Sequence, residues 1–238
     1  MAPSAVDLNC DMGESFGVYQ LGCDEEIVQF VSSANIACGW HAGDPLVMDR
    51  TVALAAAGGL AIGADPGLPD LAGFGRRAMA LAPDETGSGV LYQIGALAAF
   101  CRKYGVQLKH VKPHGSLYNL AGRDRATALA IAGAVKAFDP ALILVTRAGS
   151  ELAKAGREYG LRVAGEVFAD RACNSDGSLV PRRLAGSVLA DSESVVPRVV
   201  RMVREGRVAA VDGQDIPVRA DTVCVHGDTP GPRRWRRG

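Results

Sequence analysis

None of the six cysteines, at 10, 23, 38, 101, 173 and 224, forms a C-x-x-C pair, which removes the usual redox and structural-zinc signature. At least three lie in apolar, strand-like runs, where a thiol behaves as a small hydrophobe, so reduced core residues are expected. No apolar run reaches the roughly 18 residues needed to cross a bilayer, and no membrane association is expected. The opening MAPSAVDLN has neither the basic start nor the apolar stretch of a secretion signal, so a cytoplasmic protein is expected. Net charge is missing as well, with 26 basic residues against 26 acidic, and Arg233, Arg234, Arg236 and Arg237 crowd the end of the chain. Outside that short basic tail at 232–238 the body is mildly acidic, which argues against a nucleic-acid partner. There is no G-x-x-x-x-G-K-[ST] phosphate loop. The one G-x-G-x-x-A match, GFGRRA at 73–78, follows a Pro-containing loop instead of a strand, so its glycines read as backbone shape and only Arg76 and Arg77 remain as anion contacts.

What is present reads as a folded α/β protein. Apolar residues at 48% and charged residues at 22% are ordinary for a globular chain and exclude disorder. Short apolar or β-branched runs recur at 5–10, 32–40, 60–64, 106–111, 141–146, 161–168 and 222–227. Most are apolar at successive positions, as strands covered on both faces must be, which predicts parallel strands. Between them, helical patterns cover 46–58, 88–104, 123–137, 149–159 and 181–205, and Asp212-Gly213 marks a hairpin. No linker or repeat divides the 238 residues, so one domain is expected.

In parallel α/β barrels the chemistry collects where strands end. Those positions hold Asn9, Asp11 and Glu14, then His41 and Asp44, then Asp65 and Asp70. They continue with His110, Lys112 and His114, then Glu166, Asp170 and Arg171, then His226 and Asp228. All four histidines of the chain are among them. Within HVKPHG, period-two geometry puts His110 and Lys112 on one face, Pro113 ends the strand, and His114 reaches the rim. Lysine suits a developing oxyanion or a phosphate, and histidine suits proton transfer. Lys112 has an alternative, an ion pair with Glu166 or Asp170; as a site residue, its replacement by alanine is expected to cost turnover and little stability. Asp11, His41, Asp65, His114 and His226 are metal-ligand types, but no H-E-x-x-H fixes two of them locally.

The blocks DLNCDMGESFG, SSANIACGWHAGDP, LAGFGRR, YQIGAL, HVKPHGSLYN, EVFADR, SDGSLVPR and VCVHGDTPG together resemble the lactam-utilisation family, the A subunit of bacterial ATP-dependent 5-oxoprolinase, from about residue 6 to about 231. The resemblance implies a seven-stranded, TIM-like (β/α) barrel similar to that of polysaccharide deacetylases. It also implies separate B and C subunits, 5-oxoproline as substrate, and ATP, with Mg2+, as co-substrate. On this reading Lys112 stabilises oxygen or phosphoryl charge, and His114 or His226 transfers protons. Asp11, Glu166 or Asp170 activates water, Asn9, Asn35 and Arg171 bind substrate, and Asp11, His41 and Asp65 are candidate metal ligands. Three departures stand out: Asp65 where the family usually has histidine, Cys173 where it has an aromatic residue, and PRRWRRG where a final helix usually follows. Two other readings remain open, a self-sufficient metal-dependent amidase or deacetylase, and a non-catalytic substrate-binding subunit.

Overall fold

The computed structural model describes residues 5–189 and 191–225. Six strands come first: β1 (Asp7–Met12), β2 (Ser33–Ala37), β3 (Ala61–Asp65), β4 (Leu108–Val111), β5 (Ile143–Thr146) and β6 (Arg162–Phe168). A small hairpin, β7 (Arg207–Ala209) and β8 (Asp215–Pro217), precedes β9 (Thr222–Val225). Strands β1 to β6 and β9 pair in parallel and in that order into a closed seven-stranded barrel, β9 closing against β1. All seven apolar runs are therefore barrel strands, and the Asp212-Gly213 hairpin forms as expected, with Val208 opposite Ile216.

Helices α1 (Asp24–Ile27), α2 (Pro45–Ala57), α3 (Pro83–Lys103), α4 (Gly115–Ala121), α5 (Arg125–Phe138), α6 (Glu151–Glu158) and α7 (Ser192–Glu205) connect the strands. Local chemistry sets their starts. The Asp44 carboxylate accepts from the amides of Leu46 and Val47 at the head of α2, and Pro45 occupies the first turn. At α3 the Glu85 carboxylate returns to the Ala82 amide, so the helix begins before the expected residue 88. The expectation of a helix from 181 is corrected to Ser192, where Asp191 caps the first turn. The segment after β6 is irregular instead, tied by bridges Arg171–Val188 and Cys173–Leu179. No helix among the described residues is long and apolar enough to cross a membrane.

Strand parity divides the two sides of the barrel wall. Cys10, Met12, Ala34, Ile36, Ile62, Ala64, Val111 and Leu144 face the helices and belong to one apolar core. The opposite parity points polar groups inward, and these build the site. The six cysteines are free thiols. His226, Asp228 and the basic tail lie outside the described residues.

Candidate active site

The lowest polar layer of the barrel interior is a hydrogen-bond chain. Asp7 accepts from Thr222 Oγ1 at 2.5 Å, and that hydroxyl accepts from Asn9 Nδ2 at 2.6 Å. Asn35 Nδ2 donates to Asn9 Oδ1 at 2.8 Å and to Asp11 Oδ1 at 2.9 Å. The remaining Asn35 oxygen accepts from His110 Nε2 at 2.7 Å, which assigns the His110 proton to that nitrogen. Burial, the largest influence on His110, lowers its pKa to about 4 from 6.5. An unfolded chain therefore binds a proton here that the folded chain refuses between pH 6.5 and 4, and stability falls as pH drops through that window. The loss should approach about 3 kcal/mol. His110→Gln, which keeps a donor for Asn35, should flatten this part of the stability profile in urea titrations at pH 7 and 4.5. Identical profiles for the parent and the variant would refute the assignment.

Above this layer stands Lys112, the first residue beyond β4 and 3% exposed. Its Nζ donates to Asp11 Oδ1 at 2.6 Å and lies 3.2 Å from Glu166 Oε1 and 3.3 Å from Cys224 Sγ. Burial disfavours the ammonium, but Asp11, Cys224, Glu166 and Asp65 outweigh it and hold the pKa well above 10.5. Lys112 is thus a permanent cation between two carboxylates. The ion pair with Glu166 that the sequence left open is present, joined by a shorter one to Asp11.

The third layer is the rim. Asp65, the last residue of β3, and His41, in the β2–α2 connection, are fully buried. His114, the cap residue of α4, stacks on His41 with ring centroids 3.8 Å apart and planes 3° from parallel. Asp65 Oδ2 lies 3.0 Å from His114 Nδ1 and 3.6 Å from His41 Nε2. Glu14 Oε1 lies 3.9 Å from His114 Nδ1, and Asp11 Oδ2 lies 3.6 Å from it. Burial disfavours the His114 cation, but Asp65, Asp11 and Glu14 raise the ring to about 10. Burial together with Asp11 pushes Asp65 up to about 6. Phe74 stands edge-on to both imidazoles with a backbone φ of 56°. A left-handed aromatic residue carries strain, which tends to gather at functional sites.

Asn9, Asp11, Asn35, His41, Asp65, Lys112, His114 and Glu166 therefore meet in one cluster. His110 belongs to it as a support below the reacting level. Asp170 is buried on the segment after β6. Arg171, expected to meet a substrate carboxylate, spends two donors on the carbonyls of Val180 and Ser187, so its visible work is to pin that segment. Arg171 also lines a cavity of about 640 Å³ beside the site, shared with Arg147, Glu166, Phe168 and Arg198. The candidate ligand set changes: Asp11 is held by Lys112 and Asn35, whereas Glu14 and His114 stand with His41 and Asp65. Phe74 and Tyr118, whose hydroxyl is buried beside Glu166, were not singled out by sequence; Glu14 was placed at a strand end by the sequence but was given no role there. In GFGRRA, Arg77 is paired with Asp70, Arg76 lies over Phe74, and Gly75 has a φ of 64°, the shape-giving role expected of it.

The sequence pattern of the LamB/YcsF family matches residues 6–236. The chain belongs to the LamB/YcsF family. Curated members similar to it include a protein from Geobacillus kaustophilus, 59% identical over 98% of this chain and 90% of its own length, and one from Syntrophobacter fumaroxidans, 57% identical over 94% and 89%. Both carry the name of the A subunit of 5-oxoprolinase, a component of a multi-subunit enzyme. The crystal structure of a lactam utilization protein from Thermus thermophilus superposes with a TM-score of 0.89 at 54% identity, covering 94% of this chain and 91% of that one. The family resemblance read from the motif blocks and the TIM-like (β/α) barrel are both borne out.

Proposed function

We propose that this LamB/YcsF chain is the A subunit of an ATP-dependent 5-oxoprolinase, which acts with B and C subunits to open 5-oxo-L-proline to L-glutamate. The near full-length match to relatives of that name carries the reading. The buried Lys112 cluster supports it chemically. A lactam amide is a poor electrophile, and transfer of the ATP γ-phosphoryl group to its oxygen, with loss of the ring N–H proton, gives a reactive imidate. Water then adds to that carbon. Expelling phosphate at this stage would only regenerate the lactam, so the ring C–N bond must break as nitrogen takes a proton. The resulting acyl phosphate is hydrolysed by a second water to carboxylate and phosphate. Negative charge builds on the lactam oxygen as the N–H proton leaves and then resides on the phosphoryl group that this oxygen carries, and Lys112, already desolvated, is suited to stabilise it. Asp11, whose side chain keeps 9% exposure at the barrel mouth, is suited to take the proton of the attacking water, with Glu166 behind it. Mg2+ belongs with ATP in this scheme.

The test is coupled measurement of glutamate and phosphate with this chain alone, with either partner, B or C, singly, and with both. No turnover from the chain alone and equal amounts of both products from the full set are expected. Stoichiometric products from the isolated chain would refute the subunit reading. An inactive full set containing the folded chain would refute the reaction. Chelator-sensitive amide cleavage without ATP would favour the amidase reading.

A further inference from the structure

The rim cluster has unfinished coordination chemistry that the lactam scheme does not use. His41 is fully buried, yet neither of its ring nitrogens makes a hydrogen bond among the described residues, and the same holds for Asp65 Oδ1 and His114 Nε2. Each such atom costs about 1–3 kcal/mol when left unsatisfied. One ligand atom each from Glu14, His41, Asp65 and His114 lies within 4.8 Å of all the others. Gly67 and Gly75 leave the room that His41 occupies, since a Cβ at Gly67 would fall 2.4 Å from its Nδ1 and one at Gly75 2.7 Å from its Cβ.

We propose that Glu14, His41, Asp65 and His114 bind one divalent transition-metal ion. Donor atoms around a tetrahedral ion with bonds of about 2.1 Å stand about 3.4 Å apart. The separations of 3.0 Å from Asp65 Oδ2 to His114 Nδ1, 3.6 Å from Asp65 Oδ2 to His41 Nε2 and 3.9 Å from Glu14 Oε1 to His114 Nδ1 bracket that spacing, so His41 Nε2 is the unpartnered donor and the ion replaces the Asp65–His114 hydrogen bond. Two imidazoles with two carboxylates suit Zn2+ or Mn2+, whereas Mg2+ and Ca2+ prefer all-oxygen shells. The two carboxylates also match the charge of a divalent ion. When bound, such an ion would supply Lewis-acid assistance beside Lys112; His114 would release its Nδ1 proton, now shared with Asp65, to solvent, give that lone pair to the metal and not be the proton shuttle. Asp65, the residue that departs from the family's usual histidine, adds the second negative charge. This inference stands on the rim geometry and holds whether or not the chain is a 5-oxoprolinase subunit.

The test uses tag-free full-length protein stripped with EDTA and dialysed, titrated calorimetrically with ZnCl2, MnCl2 and MgCl2, with thermal melts at each end point. One equivalent of Zn2+ or Mn2+ per chain and a raised melting temperature are expected, with no comparable response to Mg2+. The near-isosteric Glu14→Gln and Asp65→Asn should each weaken that binding ~10-fold or more while keeping the parent's circular dichroism. Absence of stoichiometric Zn2+ and Mn2+ binding would overturn the site and leave trapped water as the partner of these atoms. Unchanged affinity in both folded variants would overturn it equally, placing the ion elsewhere, for example on cysteine.

Discussion

Lys112→Ala is expected to lower stability by about 3–5 kcal/mol as well as abolish turnover of the assembled enzyme. The sequence alone suggests a small folding cost, because a strand-end lysine reads as a group reaching into a site. The geometry says otherwise. Lys112 is 3% exposed and bonds Asp11 at 2.6 Å with Glu166 at 3.2 Å. Removing it strands two buried carboxylates without their cation, and a loss of that size is a large share of the roughly 5–15 kcal/mol that typical domains possess. Activity loss in this variant therefore cannot by itself prove a catalytic role. Lys112→Met combined with Glu166→Gln, with its turnover read against Glu166→Gln alone, separates the two effects, since it removes one buried anion along with the cation. Urea unfolding should recover most of the lost stability, while turnover in the full subunit set should stay reduced by about 10²–10³ or more, the usual effect of deleting an oxyanion-stabilising group. A double variant that regains both would make Lys112 a structural ion pair only. A loss below about 1 kcal/mol in Lys112→Ala would refute the burial argument.

The barrel was legible because each of the seven strands is a short apolar or β-branched run between helical patterns, although the polar alternation of β1 and β4, DLNCDM and LKHV, shows an inner face that is polar and not a second apolar face. The connection after β6 was not, because Arg171 holds it through the carbonyls of Val180 and Ser187 and leaves no periodicity. Helices of four and seven residues, α1 and α4, are too short to show a repeating face. At the site, the alternation of His110, Val111 and Lys112 correctly put both ionisable groups on the inner wall. Their different depths were not legible. His110 is a support for Asn35, whereas Lys112 meets the mouth, and only barrel closure decides this. Glu14 meets His114 across one hundred residues of chain because β1 and β4 face the same lumen, a contact that no local spacing encodes.

Gly63→Ala is expected to cost about 3 kcal/mol or more, and the reason lies in how β3 and β4 pair. Their register slips by one residue between Ile62–Leu108 and Gly63–His110, so that Lys109 is the extra residue and His110 comes to stand opposite Gly63. The imidazole occupies the space that any side chain at 63 would need, since an added Cβ would lie 2.0 Å from His110 Nε2. Nor can the ring simply retreat. It is 5% exposed, and its Nε2 is fixed at 2.7 Å to Asn35 Oδ1. Moving it combines overpacking, about 1–3 kcal/mol, with an unsatisfied buried acceptor on Asn35, about 1–3 kcal/mol more. Asn35 in turn positions Asp11, so turnover should fall together with stability. A double-mutant cycle with His110→Ala checks the cause by urea unfolding. In that background the clash is absent, so most of the Gly63→Ala penalty should vanish and leave a coupling energy of about 2–3 kcal/mol. Simple additivity of the two losses would show that Gly63 is needed for its backbone alone and that the ring above it is incidental.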